Sequence, residues 1–478
     1  MASSSPTPQR TMWADLIEWS VEVDFLVAQE KSGKTYTIDE GKRNRWVCPF
    51  NAEDPTDTCV TFCAEHIAYT LGIKPLALGG VAYKTSDKYS YTVEKAGRER
   101  TGMDPRMCYW FVSAAPNAVP RPDSPSEYNW IGIRVRCPYR HLISILHMDR
   151  YGKNDLGTGL APPEGKMPPL PPVRGKTEME SVLGLIRAGI KTHTNSTCQL
   201  RVYMGLQNDG FDVTDAKKAV TLAWLMEPEL LLPLRPFVRD PALSHYRPIT
   251  RLSEIAMAES EFPAKGYTSL TVEERERLLA KTRPPFPTDA DLMDTYIPTM
   301  SNSLVQERIQ MIWSASTLEE LSDMLRSSEG DSTVAVYEDS KVQPTMIFRY
   351  ALWHPQREGM QYWLHLFGRL FLFAIASDAG RFKAAVARIE EKTLEVQKLK
   401  REDRCIEMLT HSFDFVLSYY WNEFKEAERG DGLLSPTGLD RQGTLALAAG
   451  IDYDSETERD SSSSSASSVE GGVWIKSS

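Results

Sequence analysis

Residues 20–29, SVEVDFLVAQ, constrain this chain more than any other ten. They alternate, with Val21, Val23, Phe25 and Val27 on one side and Glu22, Asp24 and Leu26 on the other. Successive side chains of a strand point to opposite faces. The spacing therefore predicts a β-strand with one apolar face and a second face carrying two carboxylates, about 7 Å apart. On a solvated face such a pair does nothing special. Turned into a cleft, it becomes a candidate site for a divalent cation, since hard cations take oxygen ligands.

The rest of the chain supplies partners for that strand. Further strands are expected at 129–139 (NWIGIRVRCPY), 198–205 (CQLRVYMG), 332–338 (STVAVYE) and 344–353 (PTMIFRYALW). Helical spacing marks 57–72, about 176–190, and a segment that Thr214 caps and Pro228 bends or ends. Thr271 with Glu274, and Ser316 with Glu319, read as capping boxes that start two more helices. Residues 356–377 and about 380–427 read as long helices, the second broken near KLKREDR. Strands mixed with helices in this order predict an α+β fold.

Its boundaries follow composition. Residues 1–11 are polar and read as disordered, 12–430 as a single α+β domain, and 431–478 as a disordered, acidic, serine-rich tail. A Pro/Gly-rich loop occupies 152–175. With 478 residues, 41% of them apolar, the chain can bury a large core. A net charge of −10 gives no electrostatic support to nucleic-acid binding. Seven irregularly spaced cysteines without a C-x2-C pair point to reduced thiols and a cytoplasmic location. The N-terminus has no apolar leader segment. The most apolar stretch, 362–376, is too short to span a bilayer and holds His365 and Arg369, so a buried helix is expected and no membrane partner.

In their order, the strand motifs resemble those of the amidoligase family, whose series runs G-V-E-x-E-F, W-x-G-I-E-L-V-S-P, G-x-H-V-H-V-G, a helix ending near a lone Arg, and T-I-E-F-R. The resemblance covers roughly 19–377. It implies a curved, largely antiparallel mixed sheet with flanking helices, as in glutamine synthetase and glutamate–cysteine ligase. It also implies an ATP- and Mg2+-dependent ligase that joins a small carboxylate to an amine. By that resemblance Glu22 and Asp24 are metal ligands, and Arg239 (in LRPFVRDPALSHYRPI) and Arg349 (in TMIFRY) are catalytic arginines. The chain departs from the pattern at four places. Arg134 stands where the family has Glu, Arg201 and Tyr203 replace two histidines, and Ile347 replaces a Glu.

Period-2 spacing puts Arg134 with Arg136, Arg201 with Tyr203, and Ile347 with Arg349 on shared faces. If all of them share the face of Glu22 and Asp24, a metal cluster has become two carboxylates among arginines. Guanidinium cannot ligate a metal but binds carboxylate and phosphate as a fork. Arg134, Arg201 and Tyr203 are therefore candidate anion- or substrate-binding residues. Two functions follow: a divergent carboxylate–amine ligase, or a catalytically degenerate member that binds an anionic metabolite or a protein partner. Two histidines near the motifs, His193 and His245, read as surface or capping residues.

Overall fold

The structure, a computed structural model, describes residues 16–34, 45–72, 79–95, 105–121, 124–142, 144, 177–195, 197–207, 210–234, 246–258, 287–328, 330–339, 342–351, 360–412 and 421. The expected capping box at Thr271, the Pro/Gly-rich loop, both terminal segments, His245 and Arg239 lie outside the described residues.

The alternating segment forms the center of the sheet. Strand β1 (Ile17–Glu30) has partners along both edges, β5 (Tyr128–Arg136) on one side and β8 (Leu200–Leu206) on the other. Beyond β8 come β12 (Val342–Phe348) and β11 (Val334–Asp339). Beyond β5 come β4 (Tyr109–Ala114), β3 (Ser90–Lys95) and β2 (Gly80–Lys84). Two short strands, β6 (Arg140–His141) and β7 (Thr192–His193), also pair with β1. Every pairing within this sheet is antiparallel, whereas β9 (Tyr246–Arg247) and β10 (Asp331–Ser332) pair in parallel in a small separate sheet. The fold is thus α+β with a largely antiparallel sheet.

The Val21, Val23, Phe25 and Val27 face is fully buried. Helix α1 (Pro55–Thr70) covers it under β2–β5, capped by the Asp54 carboxylate on the Asp57 amide. On the β8 side lie α3 (Val213–Met226) and α7 (Met360–Ala376), which pack on each other. Phe348 of β12 stacks on Phe367 of α7, centroids 4.5 Å apart. Buried His365 and the apolar run around it thus serve as core, and among the described residues no helix is long and apolar enough to cross a membrane.

Several local expectations shift. Asp212, not Thr214, caps α3, since the Asp212 carboxylate reaches the Asp215 amide. Thr317, not Ser316, caps α6 (Leu318–Leu325), its hydroxyl accepting from the Glu320 amide. At Pro228 the α-helix of α3 gives way to a π-turn at Glu227–Leu231. The break in the C-terminal helical region lies at 397–400, between α8 (Ala379–Val396) and α9 (Arg401–Ser412). All seven cysteines are buried free thiols.

Candidate functional site

The pairing register decides which polar side chains share the second face of β1. Glu22 lies opposite Arg136 on one side and Arg201 on the other. Asp24 lies opposite Arg134, Ser20 opposite Tyr203, and Tyr203 opposite Ile347 of β12. Directly opposed residues in antiparallel strands project to the same side. The sheet therefore gathers Glu22, Asp24, Arg134, Arg136, Arg201, Tyr203 and Ile347 on one face, as the period-2 reading expected.

Arg349 lies one residue beyond β12. Its amide donates to the Thr333 carbonyl at 2.8 Å, and its Nη1 donates to the Ser332 carbonyl, also at 2.8 Å. That carbonyl holds one end of the guanidinium, while Nε is buried with no hydrogen-bond partner. Its charge bears on the Tyr203 hydroxyl.

The two acids are engaged by two arginines. Arg201 Nη1 lies 2.7 Å from Glu22 Oε1 and 3.1 Å from Asp24 Oδ2. Arg134 grips Asp24 as a fork, Nε to Oδ1 at 2.8 Å and Nη2 to Oδ2 at 3.2 Å, and its Nε is 3.3 Å from Glu22 Oε1. Asp24 is fully buried and Arg201 nearly so. Burial works against the Arg134 charge, but the bond to Asp24 and the charges of Asp24 and Glu22 outweigh it and hold the guanidinium above its ordinary pKa. Burial and the Glu22 charge push the Tyr203 phenol well above its usual range, so at neutral pH it is a hydroxyl donor.

This donor set does not fit Mg2+. Both Asp24 oxygens and one Glu22 oxygen are already taken by guanidinium groups, which repel a cation. Among the described residues no three His, Cys, Asp or Glu side chains gather where a metal could be held. The arginines instead neutralize the acids that the family resemblance made metal ligands.

Arg136 behaves differently from Arg134 and Arg201. It makes no ion pair among the described residues. Its guanidinium sits over the Phe111 ring at 4.5 Å and 5.6 Å from the Tyr203 ring center, between two aromatic surfaces.

Other polar residues of this face were not singled out from sequence. Gln199 gives its amide oxygen to Arg201 Nη2, and its buried Nε2 donor has no partner. Glu18 lies 3.6 Å from Arg106, which also bonds Gln343 at 2.7 Å and stacks over Tyr139. Both lie on the parity of the motif residues, Glu18 four before Glu22 and Gln199 two before Arg201, so extending the period would have found them. His193, expected at the surface, is buried opposite Leu26 and packs on Trp130, centroids 5.1 Å apart, because β7 folds it onto this face.

No family model matches the chain, and no curated protein and no solved structure matches it.

Proposed function

We propose that the chain is a catalytically degenerate relative of the carboxylate–amine ligases, with a glutamine synthetase-like sheet, that binds a small anionic metabolite on its arginine face. The observation that carries this reading is Arg136. Among the described residues it is a guanidinium on the acid-bearing face that makes no ion pair, held between Phe111 and Tyr203. Aromatic surfaces stabilize a cation without using up its N–H donors. The fork is left to carboxylate or phosphate, which it binds bidentately. The Tyr203 hydroxyl and Gln199 Nε2, which has no hydrogen-bond partner among the described residues, add neutral donors on the same face. The ligase reading needs Glu22 and Asp24 for Mg2+, and both are engaged by arginine.

A thermal-shift panel of phosphate, ATP with and without Mg2+, glutamate and malate tests the proposal on the full chain. A ligand at one hundred times its dissociation constant should add about 2.7 kcal/mol to stability. Arg136→Ala should abolish that gain, and Arg136→Lys should keep part of it, because the fork is lost. If no anion stabilizes the protein, or if Arg136→Ala leaves the gain intact, the reading fails. A gain that requires Mg2+ with ATP and vanishes on removal of both Glu22 and Asp24 carboxylates would restore the ligase.

A further inference from the structure

Residues of α7, α8 and α9 border a half-open cavity of about 220 Å3. Its apolar wall includes Phe373 near the end of α7 and Ala385 of α8. Arg381, Arg388 and Lys392 also line it, spaced seven and four residues apart and so on one stripe of α8. His411 lines it from the last turn of α9. Two carboxylates outside the lining engage Lys392 and His411. Glu407 Oε1 bridges Lys392 Nζ at 3.1 Å and His411 Nε2 at 2.9 Å, and Glu395 holds Lys392 at 3.0 Å. Arg388 has no hydrogen bond or ion pair among the described residues.

From this arrangement we infer a second ligand site, separate from the sheet face, that takes a small organic oxyanion: an apolar body bearing one carboxylate or phosphate. Among the described residues no acidic side chain lines the cavity, and Arg388 is a lining cation without an ion pair. An oxyanion at Arg388 balances that charge and gains a bidentate partner. The apolar body lies against Phe373 and Ala385, where burial of apolar surface is favorable. Pockets for drug-sized ligands run from roughly 300 Å3 upward. This cavity therefore suits a body about the size of a single ring.

Phenyl phosphate is the probe, with inorganic phosphate as the head group alone and phenol as the body alone. Isothermal titration of the full chain should show phenyl phosphate binding at least ten times more tightly than either fragment. Arg388→Gln, at an exposed position that leaves the core untouched, should weaken it about ten-fold, and Arg388→Lys less. The His411 ring resonances should shift on addition of phenyl phosphate, a readout that does not depend on any variant folding. Arg136→Ala should leave this binding unchanged, which separates the site from the sheet face. Equal binding of phenyl phosphate and inorganic phosphate, unchanged binding in Arg388→Gln, or loss of binding in Arg136→Ala overturns the inference.

Discussion

A single nitrogen of Arg201, Nη1, lies within 2.7 Å of Glu22 and 3.1 Å of Asp24, so one guanidinium answers both acids of the central strand. Removing it leaves two buried carboxylates with Arg134 alone. Arg201→Met should cost about 3–5 kcal/mol, the usual penalty for orphaning a buried charge. Adding Glu22→Gln to Arg201→Met should recover much of that loss in urea unfolding, since the remaining Asp24 and Arg134 charges stay paired as a fork. Equal stability of the single and double variants would show that the network carries no such penalty.

Glu227 anchors the π-turn to the sheet edge. Its Oε1 accepts from the hydroxyls of Tyr350 and Thr333, each at 2.6 Å, and from the Ile249 amide at 3.1 Å, while Oε2 accepts from the Thr250 amide at 2.7 Å. Glu227→Gln would turn an NH2 donor toward one of those backbone N–H groups. It should cost about 1–3 kcal/mol, the penalty for a buried donor without a partner. Tyr350→Phe removes one bond to a charged group and should cost about 1.5–3 kcal/mol. Chemical denaturation of both variants checks this.

Gly132 lies under a loop. The Ala115 amide donates to the Gly132 carbonyl at 2.9 Å, and a Cβ on Gly132 would run into the carbonyl oxygens of Ala115 and Ala118. Backbone must move to make room, so Gly132→Ala should destabilize by about 1–3 kcal/mol, as overpacking does. A melting temperature equal to that of the unaltered protein would contradict the close approach.

Asp54 titrates where its partners place it. The Lys88 ammonium and, next, the Asp57 amide hold its carboxyl down from 3.8 to about 2. A depressed carboxyl stabilizes the fold above its unfolded pKa and loses that contribution as pH falls through its folded value. The loss should therefore fall between about pH 4 and pH 2. Carbon-detected NMR should give a midpoint near 2 in the intact protein, and Lys88→Ala should move it up toward 3.8. Added salt should move it the same way, because the pair is exposed.

Strands with one core face were legible because burial forces alternation. β1, β5, β8, β11 and β12 all fall where the apolar period places them. The meander β2–β3–β4 was missed. GVAYK, SYTVEK and YWFVSA are short, and Val81 and Tyr83 of the edge strand are exposed, which blurs the contrast between faces. The shared face was legible for the same reason as the strands. Which arginine grips which acid was not, because strand order does not follow chain order: β8 pairs with β1 across some 180 residues. Glu227 could not be found at all from its neighbors, since its partners Ile249, Thr333 and Tyr350 come from three later segments.

The central position of β1 also governs how the acids can move. Its amides are bonded by β5 and β8 and, toward the ends, by β6 and β7. Amides held this way exchange with solvent only when the whole fold opens, whereas edge strands such as β2 and β11 can fray singly. In hydrogen–deuterium exchange β1 should be the last strand to label. The acids thus ride on the stillest part of the molecule. A guest at this face is met by side-chain rearrangement of arginines on flanking strands, on the timescale of rotamer changes, and not by a hinge in the strand that bears the acids.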